Sequence, residues 1–284
     1  MSVLLRQAAL LGFIGGVAYS LVEPHRIVVR RFDVALPGLP REAEGLRIAQ
    51  FSDVHCSAIT GARFVRRAVE ACNVERPDVI ALTGDLVSRR NSYNPITLAR
   101  VWARDIMVYA QRMAEAVAML HAPEGVFAVP GNHDHSQGSC QAIADLLAGC
   151  GVRMLVNESV RLGSGLPLIG LDDLRAGRPD LRRAAAGVAP DEAQVVLCHN
   201  PRFLPRLAER NCLVIAGHTH GGQVHLPGTR FRRRPQDMNF SVWQEGWYRY
   251  HRAQMYVSVG VGSVSFPMRF ACPPEIPIFT LRRG

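Results

Sequence analysis

No two of the seven cysteines (Cys56, Cys72, Cys140, Cys150, Cys198, Cys212 and Cys272) stand at CxxC spacing, and their number is odd. Neither a disulfide framework nor a structural zinc knuckle is indicated, so buried thiols in a reducing compartment are expected. Internal repeats and low-complexity stretches are also missing. The uncharged run Ala8–Val22 (AALLGFIGGVAYSLV) is shorter than the ~20 residues that cross a bilayer, unless Val3–Leu5 extend it. It ends in Val22-Glu23-Pro24 without a small-x-small cleavage site, and Arg30-Arg31 follow it rather than precede it. Both facts argue against a removed export signal. Acidic residues are the minority charge, 24 against 33 basic, for a net +9. That excess favours an anionic partner: nucleic acid, acidic lipid or a phosphorylated ligand.

What is present is a foldable chain. Of 284 residues, 48% are hydrophobic and 20% charged, which excludes a disordered chain, a coiled coil or a collagen-like repeat. The length suits one domain of roughly 240–260 residues with an appendage. We divide the chain into an apolar membrane anchor or interfacial segment (1–26) and a globular body (27–284). Arg6 precedes the apolar run and Arg26, Arg30 and Arg31 follow it. By the positive-inside rule this asymmetry predicts association with the inner membrane, the body on its cytoplasmic face.

Within the body, short apolar runs alternate with helical stretches. Strands are predicted at Leu46–Ser52, Val79–Thr83, Gly125–Val129, Pro167–Leu171, Val195–Cys198, Leu213–Ala216, Met255–Val259 and Ile276–Leu281. Phe64, Val65, Ala68, Val69 and Cys72 have the spacing of an amphipathic helix, which Pro77 closes. Further helices are predicted over Thr97–Leu120 and Cys140–Leu147, with a short one after Pro201. This alternation predicts a layered α/β fold with buried sheets.

The polar residues fall at the ends of these runs. Asp53 and His55 follow the first; two residues apart, on an extended backbone, they would point the same way. Asp85 follows the second, Asn132-His133-Asp134 the third, His199 the fifth, and His218 and His220 the sixth. The carboxyl edge of an α/β sheet is where ligands usually bind. Carboxylates, an amide and imidazoles together suit two divalent transition metals (Mn, Fe, Zn, Co or Ni) better than Ca²⁺ or Mg²⁺. Two such ions about 3.5–4 Å apart clamp a phosphate and generate the attacking nucleophile. Cys56 and Cys198 adjoin ligands but have no readable base, so they are assigned to packing. Asp172-Asp173 is read as a helix start in preference to a support behind the ligands. The basic loop Arg230–Arg234 is read as a solvated turn or as a loop near the site, and Trp243, Trp247, Tyr248 and Tyr250 as a lid, an interface or core.

The ordered set DxH…GD…GNHD…H…GHTH resembles the calcineurin-like metallophosphoesterase superfamily, over roughly Gly45–Arg282. The resemblance implies an α/β, four-layer αββα fold: two packed β-sheets flanked by helices. It also implies that Asp53, His55 and His220 hold one metal and Asn132, His199 and His218 the other, with Asp85 bridging. His133 would contact the phosphate or protonate the leaving oxygen, oriented by Asp134. The pieces Leu36–Pro40, Gly221–Gln223 and Arg269–Ile276 look like a bacterial, membrane-associated branch, some of whose members cleave the pyrophosphate of UDP-2,3-diacylglucosamine in lipid A assembly. The expected activity is hydrolysis of a lipid-linked or nucleotide-linked phosphodiester or pyrophosphate, with Mn²⁺ the preferred metal and an anionic membrane surface as partner. Alternatives are a nuclease or cyclic-nucleotide phosphodiesterase, with nucleic acid as partner, and a metal-free binding scaffold on the same fold.

Overall fold

The computed structural model describes residues 3–88, 92–93, 100–101, 105–225, 243–264 and 266–284. The basic stretch Arg230–Arg234 lies outside them. Two mixed six-stranded sheets form the body. The first has strands β1 (Val28–Leu36), β2 (Arg47–Phe51), β3 (Val79–Thr83), β6 (Val126–Val129), β7 (Val152–Met154) and β14 (Glu275–Arg283), in the order β1-β14-β2-β3-β6-β7. The second has β8 (Glu158–Arg161), β9 (Pro167–Gly170), β10 (Gln194–Leu197), β11 (Cys212–Ala216), β12 (Gly246–Tyr250) and β13 (Ala253–Val257), in the order β12-β13-β11-β10-β9-β8. A separate ladder pairs β4 (Ser92–Tyr93) with β5 (Arg100–Val101).

The layers follow from which faces are apolar. β2, β3, β6, β10 and β11 are buried almost throughout, as strands covered on both faces must be. Between the sheets, Ile48, Val79, Phe127 and Phe279 meet Leu168, Val195, Leu213 and Ile215. Outside the first sheet lie α2 (Ala62–Val74), α3 (Ile106–Val117) and α4 (Cys140–Ala148), whose Val65, Val69, Met113 and Ile143 pack on Ile80 and Leu82. The second sheet is covered more thinly, by the single-turn α5 (Leu181–Ala184) and a 3-10 turn, Pro201–Leu207, carrying Phe203 and Leu204. Two packed sheets between helical layers are the architecture expected.

Two sequence expectations are revised. The helix predicted over Thr97–Leu120 is shorter: Arg100–Val101 belong to a ladder, and Asp105 accepts from the backbone N of Met107 to start α3 afresh. Asp172-Asp173 does not open a helix. Asp173 accepts from the amides of Arg175 and Ala176, and Asp172 from His135 Nε2 at 2.7 Å, which raises that imidazole's pKa.

Residues Val3–Val22 form the helix α1. Among the described residues no helix is long and apolar enough to cross a membrane. The end of α1 is tied to the body: Tyr19 meets Phe270 edge-on at 5.9 Å, the Ser20 carbonyl accepts from Arg269 N, and Glu23 accepts from Cys272 N. Earlier turns expose Leu10, Leu11, Phe13, Ile14 and Val17.

Candidate metal centre

The carboxyl ends of β2, β3, β6, β10 and β11 converge, and they bring together every residue the strand-end pattern singled out. The backbone does so by an unexpected device. Asp53 and His55 are not extended; both are left-handed, at φ 51° and 47°, as are Asp85 (52°), His218 (74°) and His220 (52°). Such conformations cost a non-glycine residue about 1–3 kcal/mol and gather where side chains must be aimed. Asp53 is held by His218 N at 2.9 Å and by Ser52 Oγ at 2.5 Å.

Asp85 sits at the middle. Its Oδ2 is 3.5 Å from His55 Nε2 and 3.2 Å from His199 Nε2, while its Oδ1 accepts from the His133 amide at 2.7 Å. On one side, His55 and His220 face each other, Nε2 to Nε2, at 2.9 Å, with Asp53 Oδ1 3.4 Å from His220. On the other, His218 Nδ1 lies 3.0 Å from His199 Nε2. His199 donates from Nδ1 to the Thr83 carbonyl at 2.9 Å, which fixes its tautomer and aims Nε2 at Asp85. Asp53–His55–His220 and Asp85–His199–His218 are thus two donor groups meeting at one carboxylate.

The electrostatics prepare the four rings differently: burial would lower His199, but Asp85 and Asp53 outweigh it and hold that ring well above its usual range. Burial lowers His55 and His218 to about 3 and depresses His220 strongly, so these rings stay neutral with a lone pair to offer. Burial alone would raise Asp85, but His199, His133 and His55 outweigh it and hold the carboxyl well below its usual range. Burial raises Asp53 to about 6. Asn132 Oδ1, His55 Nδ1 and His220 Nδ1 are buried without a hydrogen-bond partner among the described residues. An amide oxygen left this way costs about 1–3 kcal/mol unless something ligates it. The donor set therefore fits divalent metal ions.

The flanking residues divide differently from expectation. Asp134 does not orient the His133 ring; its oxygens accept from the amides of Leu86, Val87 and Gly131, pinning the β3 and β6 loops together. Ser88 Oγ is 3.3 Å from His133 Nδ1. Cys56 and Cys198 are buried, and burial raises both thiols, Cys56 to about 12. Trp247 packs against Phe32 and Tyr256, whereas Trp243 and Tyr248 lie on the outer face of the second sheet.

A family model described as calcineurin-like phosphoesterase matches residues 46–222, which carry all of these donors. The chain belongs to the calcineurin-like phosphoesterase family. It is accordingly a metallophosphoesterase-type hydrolase, of a family that uses a dinuclear metal centre. It is similar to the uncharacterized metallophosphoesterase YkuE of Bacillus subtilis, 28% identical over 274 residues, covering 94% of this chain and 90% of that one. An uncharacterized metallophosphoesterase of Aquifex aeolicus is 29% identical over 276 residues, covering 93% and 95%. The UDP-2,3-diacylglucosamine pyrophosphatase LpxG of Chlamydia trachomatis is 24% identical over 309 residues, covering 90% and 89%.

Two residues that are not themselves donors support the family centre. The first is Gly131. A Cβ there would collide with the backbone N and Oδ1 of Asp85. Gly131→Ala is expected to lower metal affinity by more than about 10-fold, the loss seen when supporting contacts of a metal ligand are removed. Gly61→Ala, in open space, is the control, and equal metal content in the two variants would contradict the reading. The second is Arg269, whose guanidinium is wholly buried and donates to the carbonyls of Val259, Gly260, Gly262 and Cys272. The loop it gathers is bonded to the Asp53 carbonyl through Gly262 N. Arg269→Met orphans those carbonyls, so a loss of about 3 kcal/mol or more is expected in urea unfolding. A change under ~0.5 kcal/mol would remove Arg269 from this role.

Proposed function

We propose that this chain hydrolyses a phosphodiester or pyrophosphate bond in a lipid-linked or nucleotide-linked substrate, such as UDP-2,3-diacylglucosamine, using two divalent metals with Mn²⁺ preferred. The observation that carries the reading is Asp85 Oδ2 lying between His55 and His199. In this reading Asp53, His55 and His220 hold one ion, Asn132, His199 and His218 the other, and Asp85 both. When bound, the ions place positive charge at the phosphoryl oxygens and lower the pKa of the attacking water. Around them, Thr83 and Ser52 keep His199 and Asp53 in ligating orientation, and His133 stands at the rim to bind phosphate or protonate the leaving oxygen. The name of the LpxG relative supports the pyrophosphate class. A panel of UDP-diacylglucosamine, cyclic nucleotides and single-stranded DNA, each with Mn²⁺, tests the choice. Preferred turnover of DNA or cyclic nucleotides would replace it.

We further propose that α1 lies in the surface of an anionic membrane, on the cytoplasmic face of the inner membrane. Leu10, Phe13, Ile14, Val17 and Leu21 recur at helical spacing on one side of α1 and are exposed. Arg30 and Arg31 contribute less than their charge suggests, since they pair with Glu275 and Glu75. Tyr19, Ser20 and Glu23 are tied to the body, so the clean probe replaces exposed residues rather than deleting the helix. Phe13→Glu with Ile14→Glu is expected to weaken binding to anionic vesicles by on the order of 10²-fold or more. Turnover of a small soluble phosphodiester should stay unchanged. Undiminished vesicle binding would contradict the assignment.

A further inference from the structure

Behind the loop that carries His220 lies a cleft of about 330 Å³, lined in part by Arg30, His225, Glu245, Trp247, Cys272 and Glu275. Its chemistry differs from that of the hydrolytic centre. One ligand atom each from His225, Glu245 and Cys272 lies within 4.8 Å of the others. Sequence-distant segments converge to make this group: the turn after GHTH, the approach to β12 and the segment before β14. They meet over the bare backbone of Gly221, at φ 57°, where a Cβ would lie 2.7 Å from Glu245 Oε2 and 3.0 Å from Cys272 Sγ. Any larger residue would fill the space between the donors.

We propose that His225, Glu245 and Cys272 form a separate site for one divalent cation of the zinc class. A thiol, an imidazole and a carboxylate are the donor set of a borderline-soft metal, three protein ligands leaving a fourth position open toward the cleft. The hydrolytic centre has no sulfur donor, so the two sites select differently. The Arg269 guanidinium, whose Nη1 donates to Cys272 Sγ at 3.8 Å, favours the thiolate that a metal needs, while Glu245, Glu275 and Glu23 oppose its charge. The geometry is partly assembled. His225 Nε2 is 3.6 Å from Glu245 Oε2 and donates to the Gly221 carbonyl at 2.5 Å, and Cys272 Sγ donates to the His220 carbonyl at 3.4 Å. On binding, the thiol loses its proton to solvent as the sulfur–metal bond forms. His225 takes the Nδ1–H tautomer, freeing the Nε2 lone pair. The metal then ties the Cys272 segment to His225 and to the approach to β12, in place of the hydrogen bonds that Cys272 Sγ and His225 Nε2 donate to the His220 and Gly221 carbonyls.

The test is a Co²⁺ titration of the metal-free full-length chain, followed by total metal content and by the near-ultraviolet sulfur-to-cobalt charge-transfer band. The proposal expects a third equivalent, and the band with it. Cys272→Ser should abolish both while two equivalents remain bound, and Glu245→Gln and His225→Gln should each weaken the band's titration by more than about 10-fold. Since Cys272 is buried, Glu245→Gln serves as the decisive variant if Cys272→Ser fails to fold. Asp85→Ala should keep the band while losing the other two equivalents, which separates failure of this site from failure of the dinuclear assignment. Saturation at two equivalents without a thiolate band, or a band that survives Cys272→Ser, would overturn the proposal.

Discussion

Replacement of Asp85 by alanine is expected to abolish hydrolysis and to empty both halves of the dinuclear centre together. Among the described residues no other donor reaches both groups: one Asp85 oxygen lies 3.5 Å from His55 Nε2 and 3.2 Å from His199 Nε2. The loss should exceed the ~10–100-fold typical of contacts that merely orient a ligand. The same carboxylate also anchors the His133 amide, so the variant loosens the rim as well. Metal content by elemental analysis and turnover of a chromogenic phosphodiester read the outcome. Asp85→Asn, equal in size, controls for packing and should show the same loss of metal. Both equivalents retained with normal turnover would refute the shared-ligand assignment.

The second large effect is expected at His133. It is half-buried, its ring 4.8 Å from that of His55, with a donor atom within 4.8 Å of donors of His55 and Asp85, and it is assigned to substrate and not to a metal. His133→Gln should keep both metals yet lower kcat by about 10²–10⁴, the range for losing a general acid or an oriented contact. If His133 protonates the leaving oxygen, the defect shrinks for nitrophenolate, which departs without a proton. An equal defect for good and poor leaving groups assigns it to phosphate binding instead. Normal kcat with every substrate would remove it from the reaction.

The sequence disclosed the interior of this fold better than its margins, for a physical reason. The strands read as apolar runs (β2, β3, β6, β9, β10, β11, β13 and β14) lie inside the sheets. The missed strands β1, β7, β8 and β12 are the outer ones. In β1, Arg30, Arg31 and Asp33 interrupt the apolar pattern because one side of an edge strand faces water. The candidate ligands were legible because each follows a buried strand, where a polar residue has little structural reason to be. The left-handed backbone of Asp53, His55, Asp85, His218 and His220 was not legible, since it accompanies long-range bonds such as Gly262 N to the Asp53 carbonyl. The function of Arg269 was hidden for the same reason. A sequence shows a cation there, whereas only the fold shows four carbonyls around it. The bonds of Asp134 were hidden likewise, since its oxygens accept from amides of two different loops.

The most direct test of the account is a stepwise Mn²⁺ reconstitution of the metal-free full-length chain, with bound metal and phosphodiester turnover measured at each addition. Activity should be negligible without metal and should rise with filling of the dinuclear centre. Turnover that persists in the metal-free chain, or two bound equivalents without any hydrolysis, would contradict it.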